Sequence, residues 1–171
     1  IHGLQLWLAL PTELEQTEPG FFHYDKAEIP EVKHDGVHIR VMMGSAYGVT
    51  SPVKTLSETL YIEARLQAGH SLVLPDADEK AMYVVKGELA LRDTILDEHS
   101  MAIFEDESGI MVTARRDTIL AVIGGAPVGK RYMEWNFVSS DKSLIEQAKA
   151  DWQAGRFPRV PGDEQEFIPL P

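Results

Sequence analysis

The sequence has 171 residues, of which 44% are hydrophobic and 25% charged, a composition that suits one ordinary globular domain with some chain left over. Acidic residues outnumber basic ones by 27 to 16, which gives a net charge of −11 and a surface that repels nucleic-acid phosphates. No Lys/Arg cluster along the sequence offsets that charge, so we expect no direct nucleic-acid binding. No apolar run approaches the ~20 residues of a membrane-spanning helix, so we expect no membrane insertion. The lack of cysteine excludes disulfides and thiolate metal sites and favours a cytoplasmic location.

The first ten residues alternate between leucine and other side chains. Leu4, Leu6 and Leu8 fall on one face and Trp7 on the other, which predicts a β-strand over Ile1–Leu10. No signal-peptide pattern precedes this strand, and no turn does, so we expect the chain to be a fragment that begins within a fold. An apolar edge strand pairs readily with other chains. We therefore expect it to dock on a missing part of the protein, on the rest of this chain or on a second copy.

The next segment, residues 12–35, is acidic and interrupted by proline and glycine, and we interpret it as a linker. His34 lies at its end, four residues before His38, a spacing that forms a ligand pair on a helix. The Asp35-Gly36 pair between them is instead typical of a turn between extended segments. Two interpretations stay open, a metal-ligand pair and the polar end of a β-hairpin.

Short apolar runs, bounded by turn residues, recur between residues 36 and 138. Runs of this length that are rich in β-branched and aromatic residues predict strands. They are Val37–Val41, Thr59–Leu66, Leu72–Leu74, Met82–Val85, Leu89–Leu91, Met101–Phe104, Ile110–Ala114 and Ile119–Ile123. This number of short strands joined by turns predicts an all-β fold, a small antiparallel β-barrel or jelly roll.

Three side chains on these predicted strands, Tyr61, Arg65 and Tyr83, have two interpretations. Either they line a ligand pocket inside the barrel, or they fill its core as bulky side chains. The first interpretation would make the chain an independent small-molecule-binding module.

The segment Gly124–Lys130 fits the phosphate-binding pattern G-x-x-x-x-G-K and follows an apolar strand. Arg131 stands where such a loop has the Ser or Thr that holds Mg²⁺, and the residues after it do not predict a helix. A turn that leaves a barrel strand accounts for this segment better than a nucleotide site.

Residues 139–155 have the one clear helical pattern of the sequence. Ser139 or Ser140 is the predicted N-cap, and Gly155 ends the helix. Its apolar face, which we expect to pack on protein, is formed by Leu144, Ile145, Ala148 and Trp152. The tail, residues 156–171, contains four prolines and is predicted to be extended. It is also too apolar for a free tail, so we expect some surface to hold it.

The stretch Gly69–Arg92 resembles the first sequence motif of the cupin barrel. In metal-binding cupins this motif supplies two histidines and a glutamate, and their places fall on or near Pro75, Ala77 and Lys80, none of which ligates a metal at neutral pH. The counterpart of the second motif, Phe104–Ile110, has the turn but lacks the histidine. We therefore expect no metal ligand, no cofactor site and no catalytic residue in this chain.

Taken as a whole, the sequence resembles the pirin family. The matching stretches are His2–Trp7, Glu28–Pro30, Gly44–Thr55, Gly124–Pro127, Trp135–Ser140, Asp151–Pro158 and Phe167–Pro171. The resemblance implies a bicupin, a protein with two cupin barrels in tandem. In that arrangement residues 1–11 are the last strand of a missing N-terminal cupin, 12–35 the linker and 36–138 the C-terminal cupin barrel, followed by the helix and the tail.

The resemblance also implies one iron in the N-terminal cupin, held by a His-x-His and a His-x-Glu upstream of this chain. His2 belongs to the strand motif and is not assigned to that ligand set. For the whole protein the resemblance implies either an iron-dependent dioxygenase that acts on flavonols such as quercetin, or a non-catalytic co-regulator that contacts transcription factors or metabolic enzymes. We expect this chain alone to be inactive.

Overall fold

The computed structural model describes residues 3–171, and the start of the predicted first strand, Ile1 and His2, lies outside the described residues. Within this range the chain forms fourteen strands, one short 3₁₀ helix (Thr12–Leu14) and one α-helix, α1 (Lys142–Gln153). The strands are β1 (Glu31–His34), β2 (Val37–Met43), β3 (Ser45–Ala46), β4 (Val49–Thr50), β5 (Thr59–Leu66), β6 (Ser71–Val73), β7 (Glu79–Lys86), β8 (Glu88–Leu91), β9 (Thr94–Asp97), β10 (Met101–Glu105), β11 (Met111–Ala114), β12 (Thr118–Gly125), β13 (Tyr132–Glu134) and β14 (Phe137–Ser139). No helix among the described residues has the length and apolar character needed to span a membrane.

The chain divides into two compact units, residues 19–127 and residues 128–171 together with those up to 18. The first unit contains β1 to β12. Six of these strands form one antiparallel sheet in the order β1-β2-β5-β12-β7-β10, and four form a second in the order β6-β11-β8-β9. The predicted all-β architecture with one C-terminal helix is confirmed.

The core of the first unit is formed by the facing sides of the two sheets. Side chains alternate between the two faces of a strand, so β5 buries every second residue. The largest fully buried side chains are Ile39, Ile62, Leu74, Met82, Leu89, Leu120, Val41, Val84, Val112, Val122 and Thr118. All but the last are apolar, and burying each large one contributes on the order of 1.5–3 kcal/mol.

Tyr61, Arg65 and Tyr83 lie outside this core. On β5 the first two alternate with buried residues such as Ile62, and on β7 Tyr83 alternates with the buried Met82. Neither interpretation is therefore right: these side chains do not line a pocket inside the barrel and do not fill its core. Strand alternation places them on the outer face of the six-stranded sheet.

The strands β1 and β2 form a hairpin around Asp35 and Gly36, and the glycine has a φ of 66°. This confirms the predicted turn, which uses the left-handed backbone that glycine adopts without strain. The strand before the turn falls inside the predicted linker 12–35, so the linker interpretation is wrong there. Three of its four residues are polar or charged and only Val32 is apolar, so the segment has little apolar pattern of its own, and pairing with β2 makes it an edge strand.

The register of the same hairpin separates the two histidines. His38 lies opposite Lys33, whereas His34 lies opposite Val37. Because neighbouring residues of a strand point to opposite faces, the two imidazoles lie on opposite faces of the hairpin. Of the two open interpretations, the hairpin end is confirmed and the ligand pair is wrong.

The second unit contains the hairpin β13–β14 and helix α1. Oδ1 of Asp141 accepts a hydrogen bond from the backbone N–H of Ser143 at 2.8 Å, so Asp141 is the N-cap. The predicted caps, Ser139 and Ser140, are wrong because their hydroxyls and one backbone N–H bind a carboxylate elsewhere in this unit. The helix, residues 142–153, is accordingly shorter than the predicted 139–155.

An aromatic cluster holds α1 to the hairpin and the tail. The ring of Trp152 lies 5.2 Å from that of Trp135 in the hairpin turn. It also lies 5.6 Å from the ring of Phe157 and 5.8 Å from that of Phe167 in the tail. Nε1 of Trp152 donates a hydrogen bond to the carbonyl oxygen of Ile168 at 2.8 Å. The predictions that this helix face packs on protein and that a surface holds the tail are confirmed.

Glu15 fastens the start of the second unit to its hairpin. The Glu15 carboxylate accepts hydrogen bonds from the hydroxyls of Ser139 at 3.1 Å and Ser140 at 2.9 Å, and lies 2.5 Å from Nε of Arg131. Arg131 also donates from Nη2 to the carbonyl oxygen of Leu10 at 2.6 Å. Burial acts to raise the pKa of Glu15, but the hydrogen bonds from Ser140 and Ser139 and the charge of Arg131 outweigh it and lower the pKa overall.

The segment Gly3–Leu10 forms no strand, so the strand prediction is wrong for these residues. A strand requires backbone partners, and none of the fourteen strands of the described range pairs with this segment. Its side chains Leu4, Leu6 and Leu8 are 42–49% exposed.

Candidate functional site

The mouth of the barrel, where a cupin motif would hold a metal, is occupied by Lys80. Alternation along β7 directs this lysine inwards with the core residues of the strand, and its side chain is 1% exposed. Its neighbours across the sheet are Phe104 on β10 and Gly124 on β12. A buried ammonium group therefore lies where the resemblance predicts a metal-binding carboxylate.

The ammonium group has two hydrogen-bond partners. Nζ of Lys80 donates to the backbone carbonyl oxygen of Glu107 at 3.0 Å and to Oδ1 of Asp76 at 3.4 Å. A buried charge without partners destabilises a fold by several kcal/mol, so these contacts make the burial possible. The side chain of Asp76 is 68% exposed, so water screens that contact and the carbonyl is the stronger partner. Lys80 thereby links the segment before β7 to the turn after β10.

The residues at this mouth do not fit a metal ion. Pro75 and Ala77 offer no ligand atom, and the ammonium of Lys80 repels a cation. Space is short as well, since a Cβ on Gly124 would lie 3.0 Å from that of Ala77. Throughout residues 3–171, no three His, Asp or Glu side chains are grouped so that they could hold a metal. That the barrel binds no metal stays a prediction, which iron analysis tests.

Tyr47 contacts the last residue of β6, and no pattern in the sequence marks it as a functional residue. It lies between β3 and β4 with a φ of 51°, and its hydroxyl donates to the carbonyl oxygen of Val73 at 2.8 Å. Burial raises the pKa of Tyr47 far above its ordinary value, so the hydroxyl stays protonated and acts as a donor. In the sequence it is one aromatic residue in a Gly/Ser loop, which carries no signal of this contact.

The segment Gly124–Lys130 is not a phosphate-binding loop. It leads from β12 into β13, and no helix begins after it. Nη1 of Arg131 donates to the carbonyl oxygen of Val128 at 2.8 Å inside the segment. The segment leaves the barrel strand as an irregular connection, and no turn is assigned within it.

Comparison with known proteins gives consistent matches over most of the chain. Residues 61–158 match the family model described as the pirin C-terminal cupin domain. The chain is 41% identical to a pirin-like protein of Caulobacter vibrioides over 171 residues, which cover 99% of this chain and 59% of the relative. It is 27% identical to human pirin over 161 residues, which cover 89% of this chain and 56% of human pirin.

Among solved structures, quercetin 2,3-dioxygenase from Acinetobacter baumannii is similar with a TM-score of 0.81 and 25% sequence identity. This similarity covers 90% of the chain and 56% of the dioxygenase chain. The chain thus spans somewhat more than half the length of the relatives that it matches.

Proposed function

This chain belongs to the pirin family, and from that premise we propose that it is the metal-free C-terminal cupin of a longer iron-dependent dioxygenase that acts on flavonols such as quercetin. The similarity to quercetin 2,3-dioxygenase, at a TM-score of 0.81, supports this proposal. The match covers 56% of that chain, which leaves length for a second barrel that carries the iron. The proposed location is the cytoplasm, in keeping with a sequence without cysteine.

Lys80 is the observation on which this division of the protein rests. Its buried ammonium, together with Pro75 and Ala77, leaves the barrel mouth without ligands for iron. We therefore assign the oxidation chemistry to the remainder of the longer protein and assign no step of the reaction to this chain. The contribution of this half is a rigid, apolar-filled barrel beside the reacting one.

The experiment compares the protein translated from the complete gene with the 171-residue chain. Both are exposed to Fe(II) without oxygen, desalted and then mixed with quercetin and O₂. The complete protein is expected to consume quercetin together with O₂, and the chain alone is expected to leave both unchanged. A Lys80→Met variant of the complete protein is the matched control and should retain its turnover. Turnover by the chain alone would contradict the proposal.

A second candidate function is a regulatory module that works through protein contacts. It is favoured by the outer side of the edge strand β10, where Met101 is 56% and Ile103 is 74% exposed. Apolar side chains of this size on an edge strand are typical of a contact surface. A complete protein that binds iron and still leaves quercetin unchanged would favour this function over the first.

We also propose that the segment Gly3–Leu10 docks on the missing N-terminal half or on a second copy of the chain. The exposure of Leu4, Leu6 and Leu8 supports docking, because apolar side chains gain stability when they leave water. Light scattering tests the second copy: the 171-residue chain should be a dimer and a chain without residues 1–10 a monomer. If the intact chain is a monomer, the test turns to the missing half, which should bind the intact chain and not the shortened one. Failure to bind there as well contradicts docking.

A further inference from the structure

Basic side chains that are far apart in the sequence lie in one row across the outer face of the six-stranded sheet. The register pairs Lys33 of β1 with His38 of β2, and His38 with Arg65 of β5. Arg65 in turn lies opposite Ile119 of β12, and Ile119 lies opposite Lys86 of β7. Neighbouring strands are about 4.8 Å apart, so this basic row crosses five strands and about 19 Å.

A β-bulge brings Lys86 into the basic row. Lys86 pairs with Ile119 and Val84 with Leu120, so Val85 is an extra residue without a counterpart on β12. Regular alternation would direct Lys86 to the inner face together with Val84. The bulge reverses this and places Lys86 on the outer face, where it is exposed. Within the described part of the chain its ammonium makes no ion pair or hydrogen bond.

A cleft with a volume of about 460 Å³ lies along the basic row. Thr118 forms a rigid part of the cleft wall. It is held in place because its side chain is buried, with 2% exposed, and because its hydroxyl accepts a hydrogen bond from the backbone N–H of Glu88 at 3.1 Å. Gly87 fits against it with a φ of 96°, and a Cβ there would lie 2.5 Å from the Thr118 hydroxyl oxygen. The apolar surface that the lining offers comes from Ile119, because Val37 and Leu66 point into the core and are 7% and 2% exposed.

The charges at the cleft favour an anion. Asp117 is the one carboxylate among the lining residues, and it accepts a hydrogen bond from the backbone N–H of Ala68 at 3.0 Å. Glu63, outside the lining, accepts from Nε of Arg65 at 2.9 Å and leaves the two terminal nitrogens of that guanidinium for a ligand. With Lys86 free as well, the cleft presents cationic donors on a chain whose net charge is −11.

At the β1 end of the basic row, the carboxylate of Glu31 binds the basic side chains around it. Glu31 lies 3.0 Å from Nζ of Lys33, 3.0 Å from Nε of Arg40 and 3.1 Å from Nε2 of His38. The hydrogen bonds from Lys33 and Arg40 lower the pKa of Glu31 to about 2, so it is ionised at neutral pH. Glu31 therefore engages the cationic groups at this end of the row, whereas Glu63 engages only Nε of Arg65 and Lys86 has no ion-pair partner among the described residues.

We propose that this cleft binds a small organic anion, whose carboxylate or phosphate oxygens contact Arg65 and Lys86 while its apolar part lies on Ile119. The guanidinium fork matches two oxygens of either group. The volume lies within the roughly 300–1,000 Å³ of small-molecule sites, and the rigid wall at Thr118 makes the site largely pre-formed. The binding does not depend on the dioxygenase activity proposed for the longer protein.

The test is an NMR titration of the 171-residue chain, at fixed ionic strength, with inorganic phosphate and separately with citrate. Saturable shifts of the backbone amides of Gly36, Gly87 and Thr118 are expected with at least one of the two. Shifts with phosphate alone identify the phosphate group as the feature that is bound, and shifts with citrate alone identify the carboxylate group. No saturable shift with either probe would overturn the proposal.

Three variants separate a built site from general attraction. Lys86→Gln should weaken the binding about tenfold, the loss expected for one charge-assisted hydrogen bond. Lys26→Gln removes the same charge at an exposed position outside the cleft and should leave the affinity unchanged. Glu63→Gln frees Arg65 and should strengthen the binding. Equal losses in the two lysine variants would overturn the proposal.

Discussion

Two lysines on the same strand, Lys80 and Lys86 of β7, have opposite environments. Regular alternation would direct both inwards, because they are an even number of residues apart. Lys80 does point inwards, with 1% of its side chain exposed and two hydrogen-bond partners. Lys86 follows the extra residue Val85 and lies exposed on the outer face. The one-residue shift in register at Val85 therefore decides whether a lysine of β7 is buried inside the barrel or is available to a ligand on its surface.

The place where the fold suggests a functional site, the barrel interior, differs from the place where the charges suggest one, the outer face of the sheet. In a cupin the interior of the barrel is the expected place for chemistry, and here apolar side chains and Lys80 fill it. The open polar groups lie instead on the outer face of the six-stranded sheet, beside Arg65 and Lys86. The likeness in fold to a dioxygenase is therefore not a guide to where this chain binds a ligand.

The largest expected effect is on stability and comes from reversing the charge of each lysine. Lys80→Glu leaves a buried carboxylate beside the carbonyl oxygen of Glu107 and should lower the free energy of unfolding by ~3–5 kcal/mol. Lys86→Glu, on the exposed outer face, should change it by no more than about 0.5 kcal/mol. Urea unfolding followed by circular dichroism measures both. Equal effects of the two variants would break the comparison.

A substitution in the second unit tests whether ligand binding at the cleft depends on the barrel unit alone. Trp152→Ala removes the ring that contacts Trp135, Phe157 and Phe167 and should cost about 3 kcal/mol. Phosphate or citrate binding at the cleft should be unchanged, because every lining residue belongs to residues 19–127. A thermal midpoint that stays at the wild-type value would contradict the packing of α1.

A smaller effect is expected in the pH dependence of stability, through Glu31 at the β1 end of the basic row. The folded pKa of Glu31 is about 2, below its ordinary value of 4.5. Its ionised form therefore stabilises the fold above pH 4.5, and this contribution is lost as the pH falls from 4.5 towards 2. Glu31→Gln should make the stability less dependent on pH in that window. If the free energy of unfolding of the variant falls as steeply between pH 4.5 and 2 as that of the wild type, Glu31 contributes nothing to the acid dependence of stability.

Local patterns predicted much of the fold from sequence. The alternation in Thr59–Leu66, the Asp35-Gly36 turn and the apolar helix face around Trp152 are all confirmed. Such features depend on residues that are close in the sequence, where period and turn chemistry act directly. The replacement of cupin ligands at Lys80 could be read in the same way, although its burial and its contact with Glu107 could not.

Two of the failures share one physical cause, which is dependence on distant partners. The segment Gly3–Leu10 has a strand pattern but no backbone to pair with among the described strands. The basic row joins Lys33, Arg65 and Lys86 only through the pairing of five strands and one bulge. A scan for Lys/Arg clusters along the sequence therefore could not find it.

The iron content of the 171-residue chain tests the closed barrel mouth most directly. The chain and its Lys80→Met variant are incubated with Fe(II) without oxygen, desalted and measured by elemental analysis. We predict far less than stoichiometric iron in both, because the variant removes the ammonium but still offers no ligand at Pro75 or Ala77. Stoichiometric iron bound by two or more side chains of the chain would contradict the claim that this barrel is closed to metal.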